Sequence, residues 1–290
     1  MRLSTGLRLA RISLLPTVWT NVLTGATLAG SDWTDAHVPF LLAAISLFYI
    51  GGMFLNDAFD REFDARSRPE RPIPSGEVTA TAVFGYGFGM LALGALLLVA
   101  PALWLAQANA GPALLGGCLL AGAIVLYDAW HKNNPLSPLL MGSCRMLVYV
   151  TAALAVAGSL AADVAYGAVT LLSYLVGVTY AAKNEHLNRL DHAWPLVFLA
   201  APAIYGAILA IDHPLVLLPW AILLGWGVLA VRRLMRRAPG DVPKAVVSLL
   251  AGITLVDAVL LAGHGQVPAM IFALGAFALV LYLQRWVAGT

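Results

Sequence analysis

The stretch VPFLLAAISLFYIGGMFLNDAFDREFD, residues 38–64, decides the architecture. Residues 38–57 are uncharged up to Asp57 and, at 1.5 Å of rise per residue, make about 30 Å of helix, enough to cross a bilayer. Polar groups then crowd in at once: Asn56, Asp57, Asp60 and Asp64. On a continuing helix these four fall within about 100° of one another, so three carboxylates and an amide share one face where an apolar span ends. Such charges repel and resist desolvation, and a compensating cation is expected beside them. Oxygen-only ligands favour Mg²⁺ over Zn²⁺, and Mg²⁺ is usually shared with substrate phosphates. The competing reading is a solvated acidic helix end.

The rest of the chain repeats the first half of this pattern. Of its 290 residues 60% are hydrophobic and only 11% charged, and the mean hydropathy is +0.83. A soluble domain carries about 25% charged residues, so an ordinary cytosolic enzyme, a nucleic-acid binder and a disordered chain are excluded. Ten apolar stretches are long enough to span, at 12–29, 38–57, 79–104, 112–129, 136–158, 162–182, 194–211, 214–231, 243–263 and 267–285. None shows the alternation of barrel strands. The expected fold is therefore an all-α polytopic membrane bundle of nine to ten helices, one domain over 1–290. The break at Asp212–His213 reads either as a loop or as a kink in one long helix. Cys118 and Cys144 lie inside apolar stretches and suggest neither a disulfide nor a metal site.

Charge placement orients the bundle. With a cytoplasmic N-terminus, all 17 Lys and Arg residues except Arg145 fall on the inner segments, and the loops at 30–37, 105–111, 159–161, 212–213 and 264–266 hold none. The positive-inside rule then predicts both termini in the cytoplasm of an inner or plasma membrane. The basic run 232–244 reads as lipid headgroup anchoring. The inner loops at 58–78, 130–135 and 183–193 combine carboxylates, amides, Arg and His, so chemistry is expected at the cytoplasmic face. In the segment Arg66–Gly76 the prolines impose a non-helical path, and Arg68 and Arg71 are placed to clamp an anion. Arg145 lies within a span at a cost of about 2.5–3.5 kcal/mol, so it should face a polar cavity and have a partner, either a diphosphate or a carboxylate of the 56–64 motif. Lys132 reads equally as an anion grip or a snorkelling lysine. Asn21 and Asp257 each read either as cavity groups or as helix–helix hydrogen bonders.

NDxxDxxxD at 56–64 followed by RPxxRPIPSG at 68–76 resembles the UbiA superfamily of intramembrane prenyltransferases, over about residues 5–263. The resemblance implies a bundle of mostly nine helices around a central cavity open to lipid, the last span being an addition. It also implies Mg²⁺-dependent transfer of an isoprenyl group from a polyprenyl diphosphate to an aromatic, small or lipid acceptor. Asn56, Asp60 and Asp64, with Asp57 beside them, match the first metal motif. Tyr127 and Lys132 resemble a diphosphate-gripping turn, and Arg68, Arg71, Arg145 and Lys183 join them, with Asp60, Asp64, Lys132 and Arg145 as catalytic groups. Asn21 and Tyr180 are placed at the cavity. The second acidic motif departs from the family: Gly177 and Asn184 stand where aspartates are usual, with Glu185 adjacent as a substitute. Asn184-Glu185 together with MGSCR at 141–145 looks closest to the UbiA-like branch called EboC. The departure keeps a second function open, non-catalytic binding or transport of an isoprenoid lipid on the same fold. A CDP-alcohol phosphatidyltransferase is excluded because its DGxxAR series is absent. Oligomeric state is not encoded in any of these features.

Overall fold

The computed structural model describes residues 3–104, 109–132, 134–183 and 192–287, and these form helices and turns without a strand. Asn184, Glu185 and Asp191 lie outside the described residues. After a short helix α1 (Leu3–Leu9) come α2 (Leu15–Leu28), α3 (Val38–Phe59), α4 (Arg61–Ser67), α5 (Ala80–Val99) and α6 (Ala110–Trp130). They are followed by α7 (Ser137–Ala157), α8 (Ala162–Ala182), α9 (Ala201–Asp212), α10 (Leu217–Arg236), α11 (Asp241–Gly263) and α12 (Val267–Leu283).

Among the described residues, eight helical runs are long and apolar enough to cross a membrane. The first and tenth expected spans are shorter helices, 14 residues in α2 and 17 in α12. One open alternative is resolved, and one boundary differs from the sequence reading. A cap at His213 separates α9 from a 3-10 turn leading into α10, so Asp212–His213 is a true break. Helix α10 runs on to Arg236, so Arg232 and Arg233 continue a helix instead of lying in a loop.

Helix α11 is buried along nearly its whole length and packs on α2, α8, α10 and α12. In α2 every residue except Trp19 is buried, although Thr17, Thr20, Asn21, Thr24 and Thr27 are polar. With no water in the hydrocarbon, such groups bond within the protein where they can: Thr17 and Thr20 donate back to the carbonyls of Leu14 and Thr17, while the Thr24 and Thr27 hydroxyls are buried without a hydrogen-bond partner among the described residues. Glycine lets α2 approach α7. A Cβ on Gly25 would lie 2.6 Å from Tyr149 Cα and 2.9 Å from its carbonyl oxygen, which is backbone that cannot step aside. Gly25→Val should therefore destabilise the detergent-solubilised protein by about 1–3 kcal/mol through overpacking. Gly89→Ala, with nothing within 4 Å of the new Cβ, should leave the melting temperature unchanged or slightly raised.

Candidate active site

The arrangement begins where α3 ends. The Asp60 N–H still donates to the Asn56 carbonyl at 2.9 Å, and the Asp64 N–H to the Asp60 carbonyl at 2.9 Å, so α4 nearly continues α3. The helical phase is preserved, and Asn56, Asp60 and Asp64 all line one cavity of about 670 Å³. They are buried, as is Asp57. Asp57 does not line the cavity; it accepts from Arg11 at 3.1 Å and Arg71 at 3.2 Å. Its role in the motif is thus to hold two arginines, not to face the cavity with the other three.

The compensating cations come from the chain itself. Arg71 also donates to Asp64 at 2.9 Å. Lys132 Nζ lies 2.9 Å from Asp60, with its charge 4.0 Å above the Phe63 ring. His131 Nε2 lies 3.5 Å from the same carboxylate oxygen. Burial pushes the Asp60 carboxyl up, but hydrogen bonds and charge from His131 and Lys132 outweigh it and hold the group below the usual carboxylate range. At Asp64 burial wins over Arg71, and its carboxyl is held above that range. Arg68, Lys183 and Tyr127 line the same cavity. The prolines at 69, 72 and 74 keep 68–79 out of regular helix, and Gly76 turns the chain at φ 79°, bringing Arg71 back onto α3.

Deeper in, the wall is apolar: Ile45, Phe48, Leu120, Val148, Leu175 and Ile253. From Asp60 to Ile45 the cavity follows α3 for about 20 Å at helical rise. One cation sits at mid-depth. Arg145 lines the cavity, donates to Asn21 Oδ1 at 3.0 Å and stands 5.6 Å over the Tyr49 ring. Its partner is therefore Asn21, not a carboxylate of the 56–64 motif. Asn21 is fully buried and off the cavity wall; its amide nitrogen donates to both oxygens of Asp257, at 2.8 and 3.1 Å. Asp257 also accepts from Thr20 at 2.5 Å and from the Tyr149 hydroxyl. Both residues accordingly resolve as helix–helix hydrogen bonders. Tyr180 also departs from expectation: it packs against the α8–α11 core, and Thr179 and Lys183 face the cavity instead. Gly177 points away too, since a Cβ there would meet the Leu199 side chain at 2.8 Å.

Two site residues were not singled out from sequence. Arg11 counted only as a topological charge, yet it donates to Asn56 Oδ1 at 3.2 Å besides Asp57. Asp128, next to Tyr127, is 4% exposed, lines the cavity and accepts from Asn56 Nδ2 at 3.1 Å. Its other oxygen, Oδ2, is sealed from solvent without a partner among the described residues. The available signal was a carboxylate two residues from the end of an apolar span.

The donor set fits Mg²⁺. Among the described residues no three carboxylates, imidazoles or thiols converge on a point, but Mg²⁺ normally takes only one or two carboxylates from protein and completes its shell with phosphate and water.

Comparison with known proteins agrees with this geometry. Residues 13–288 match the model of the UbiA prenyltransferase family. The digeranylgeranylglyceryl phosphate synthase of Methanothrix thermoacetophila is 32% identical over 161 residues, which is 54% of this chain and 45% of that protein. The chain thus spans about half the length of that curated relative. An apo UbiA homologue from Aeropyrum pernix K1 has a TM-score of 0.62 at 18% identity, over 90% of this chain and 98% of that one. A UbiA homologue from Archaeoglobus fulgidus bound to DMAPP and Mg²⁺ has a TM-score of 0.54 at 12% identity, over 94% and 99%. These two likenesses establish the fold.

Removing the mid-depth anchor tests its energetics. Asp257→Ala strands Thr20, Asn21 and Tyr149 in a dry interior and should cost about 3 kcal/mol of stability. Asp257→Asn should cost less, with both read from melting in detergent.

Proposed function

Because the chain belongs to the UbiA prenyltransferase family, we propose that it transfers an isoprenyl group from a polyprenyl diphosphate to an acceptor, with Mg²⁺, at the cytoplasmic face of the membrane. The observation that carries this reading is a single cavity whose polar end joins carboxylates to cations and whose remaining depth is apolar. Such a space takes a molecule with a highly charged head and a long hydrocarbon tail. The name of the Methanothrix relative supports a lipid acceptor bearing glycerol phosphate; an aromatic acceptor is the second class to be tried.

The chain's residues divide the work by depth. Asn56, Asp60 and Asp64 would hold the metal, and bound Mg²⁺ would neutralise the diphosphate and make it a competent leaving group. Lys132, Lys183 and Arg68 grip diphosphate oxygens and stabilise the charge that grows on the departing one. Asp57 acts through Arg71 and Arg11, fixing the loop that carries Arg68. Phe48, Leu120 and Val148 keep water from the electron-deficient allylic carbon until the acceptor captures it. Arg145, held by Asn21, supplies positive charge at mid-depth without a mobile counter-ion.

One observation favours a second reading, non-catalytic isoprenoid binding or transport: Gly177 packs on Leu199 and brings no carboxylate to the cavity. Diphosphate release from geranylgeranyl diphosphate, with glycerol phosphate lipid and aromatic acceptors, separates the two. Catalysis predicts release that chelation by EDTA abolishes and that Asp60→Asn lowers by about 10²-fold or more. Retention of the prenyl diphosphate without release, across the acceptors, supports the carrier.

A further inference from the structure

We propose that Asp128 is an additional Mg²⁺ ligand, its Oδ2 completing the metal–diphosphate site from the α6 side of the cavity. The inference rests on the diphosphate reading of the cavity and adds to it a residue outside the 56–64 motif.

Charge bookkeeping singles Asp128 out. Asp57, Asp60 and Asp64 each have a cation of the chain within 3.2 Å. Asp128 has no ion pair among the described residues, and its one hydrogen bond comes from the neutral Asn56 amide. His131, three residues on, turns Nδ1 to the Tyr127 and Asp128 carbonyls, at 3.1 and 3.3 Å, and Nε2 to Asp60, leaving the Asp128 carboxylate unserved. The position aggravates the problem. Asp128 lies in the last turn of α6, where the free carbonyls already present partial negative charge, so an anion there is disfavoured twice, by burial and by the helix end. A carboxylate on a cavity wall with an unpartnered oxygen is compensated either by taking a proton or by a cation that enters that cavity. Its hydrogen-bond partner Asn56 is itself a proposed metal donor, and Asp60 follows Asn56 by one helical turn, so oxygens from α3 and α6 flank the same entering ion. Asn56, Asp60, Asp64 and Asp128 then offer four oxygen donors from the chain, and with diphosphate supplying the others they suit the hard octahedral preference of Mg²⁺.

The test uses full-length protein in detergent, Mn²⁺ as a spectroscopic stand-in for Mg²⁺, and a geranylgeranyl thiolodiphosphate that cannot turn over. Mn²⁺ binding is read by electron paramagnetic resonance and by the rise in melting temperature. Asp128→Asn should weaken Mn²⁺ binding about tenfold or more in the presence of the analogue, while the metal-free melting temperature stays level or rises, because an uncompensated charge has gone. Unchanged Mn²⁺ affinity in D128N overturns the inference. So does a fall in the metal-free melting temperature with undiminished metal-dependent stabilisation, which marks Asp128 as only an anchor for Asn56. Should D128N fail to fold, Asp128→Ser carries the same comparison. Failure of the wild type to bind Mn²⁺ with the analogue overturns both this inference and the diphosphate reading. Normal wild-type binding that D128N matches overturns this inference alone.

Discussion

A protein dissolved in lipid must compensate every buried charge from within, and that constraint organises the polar end of this bundle. Asp57 joins the N-terminal arm, through Arg11, to the proline-rich loop, through Arg71. Asp60 joins α3 to the turn after α6 through Lys132 and His131. Asn56 reaches Arg11 with its oxygen and Asp128 with its nitrogen. Three polar positions at the end of α3 thus tie together segments up to 72 residues away in sequence. Removing one partner would leave a buried charge exposed to a poor dielectric, which costs more than the pair itself contributes.

The same constraint works differently at mid-depth. Arg145 and Asp257 are opposite charges on α7 and α11, but no direct ion pair between them is formed. Asn21 stands between them, its oxygen toward the guanidinium and its nitrogen toward the carboxylate. The amide dipole is aligned by a charge at each end, and the orientation of Asn21 is therefore determined. The consequence is an asymmetric pair: the anion is sequestered among Thr20, Asn21 and Tyr149, and the cation alone is presented to the cavity.

Legibility in the sequence followed physical range. The spans depend on local hydropathy, and each expected stretch corresponds to a helix; the clustering of Asn56, Asp60 and Asp64 depends on helical phase, and phase survived the α3–α4 junction. That Arg145 faces a cavity was also readable, because a charge within an apolar span has few places to go. Partners were not readable. That Arg145 bonds Asn21, or that Arg11 serves the motif instead of merely orienting the chain, depends on how α2, α3 and α7 cross. Asp57 was misplaced for a finer reason: at about 100° from Asn56 it sits at the margin of the face, and the margin is where an arginine from outside could claim it. Tyr180 faces the core because Thr179 and Lys183 already occupy the cavity side of α8.

The balance of fixed charge on the cavity wall explains how one site can be stable without a ligand and receptive to an anion. Arg11, Arg68, Arg71, Lys132, Arg145 and Lys183 line it against Asp60, Asp64 and Asp128, six positive charges to three negative, or six to four with Asp57 just behind the wall. The excess is positive on either count, so the potential in the cavity draws an anion inward. Three of the four carboxylates are nevertheless already satisfied by the chain. The wall is therefore not an acidic cage, which would repel an arriving anion. It is a set of ion pairs able to exchange partners: cations that now hold carboxylates can turn to an entering anion. Exchange between comparable partners changes the number of uncompensated charges little, which keeps its cost low in a medium where an isolated charge is expensive. Arg145 takes no part in that exchange, since Asn21 and Asp257 anchor it. It remains a fixed positive charge in the passage from the polar end to the apolar depth.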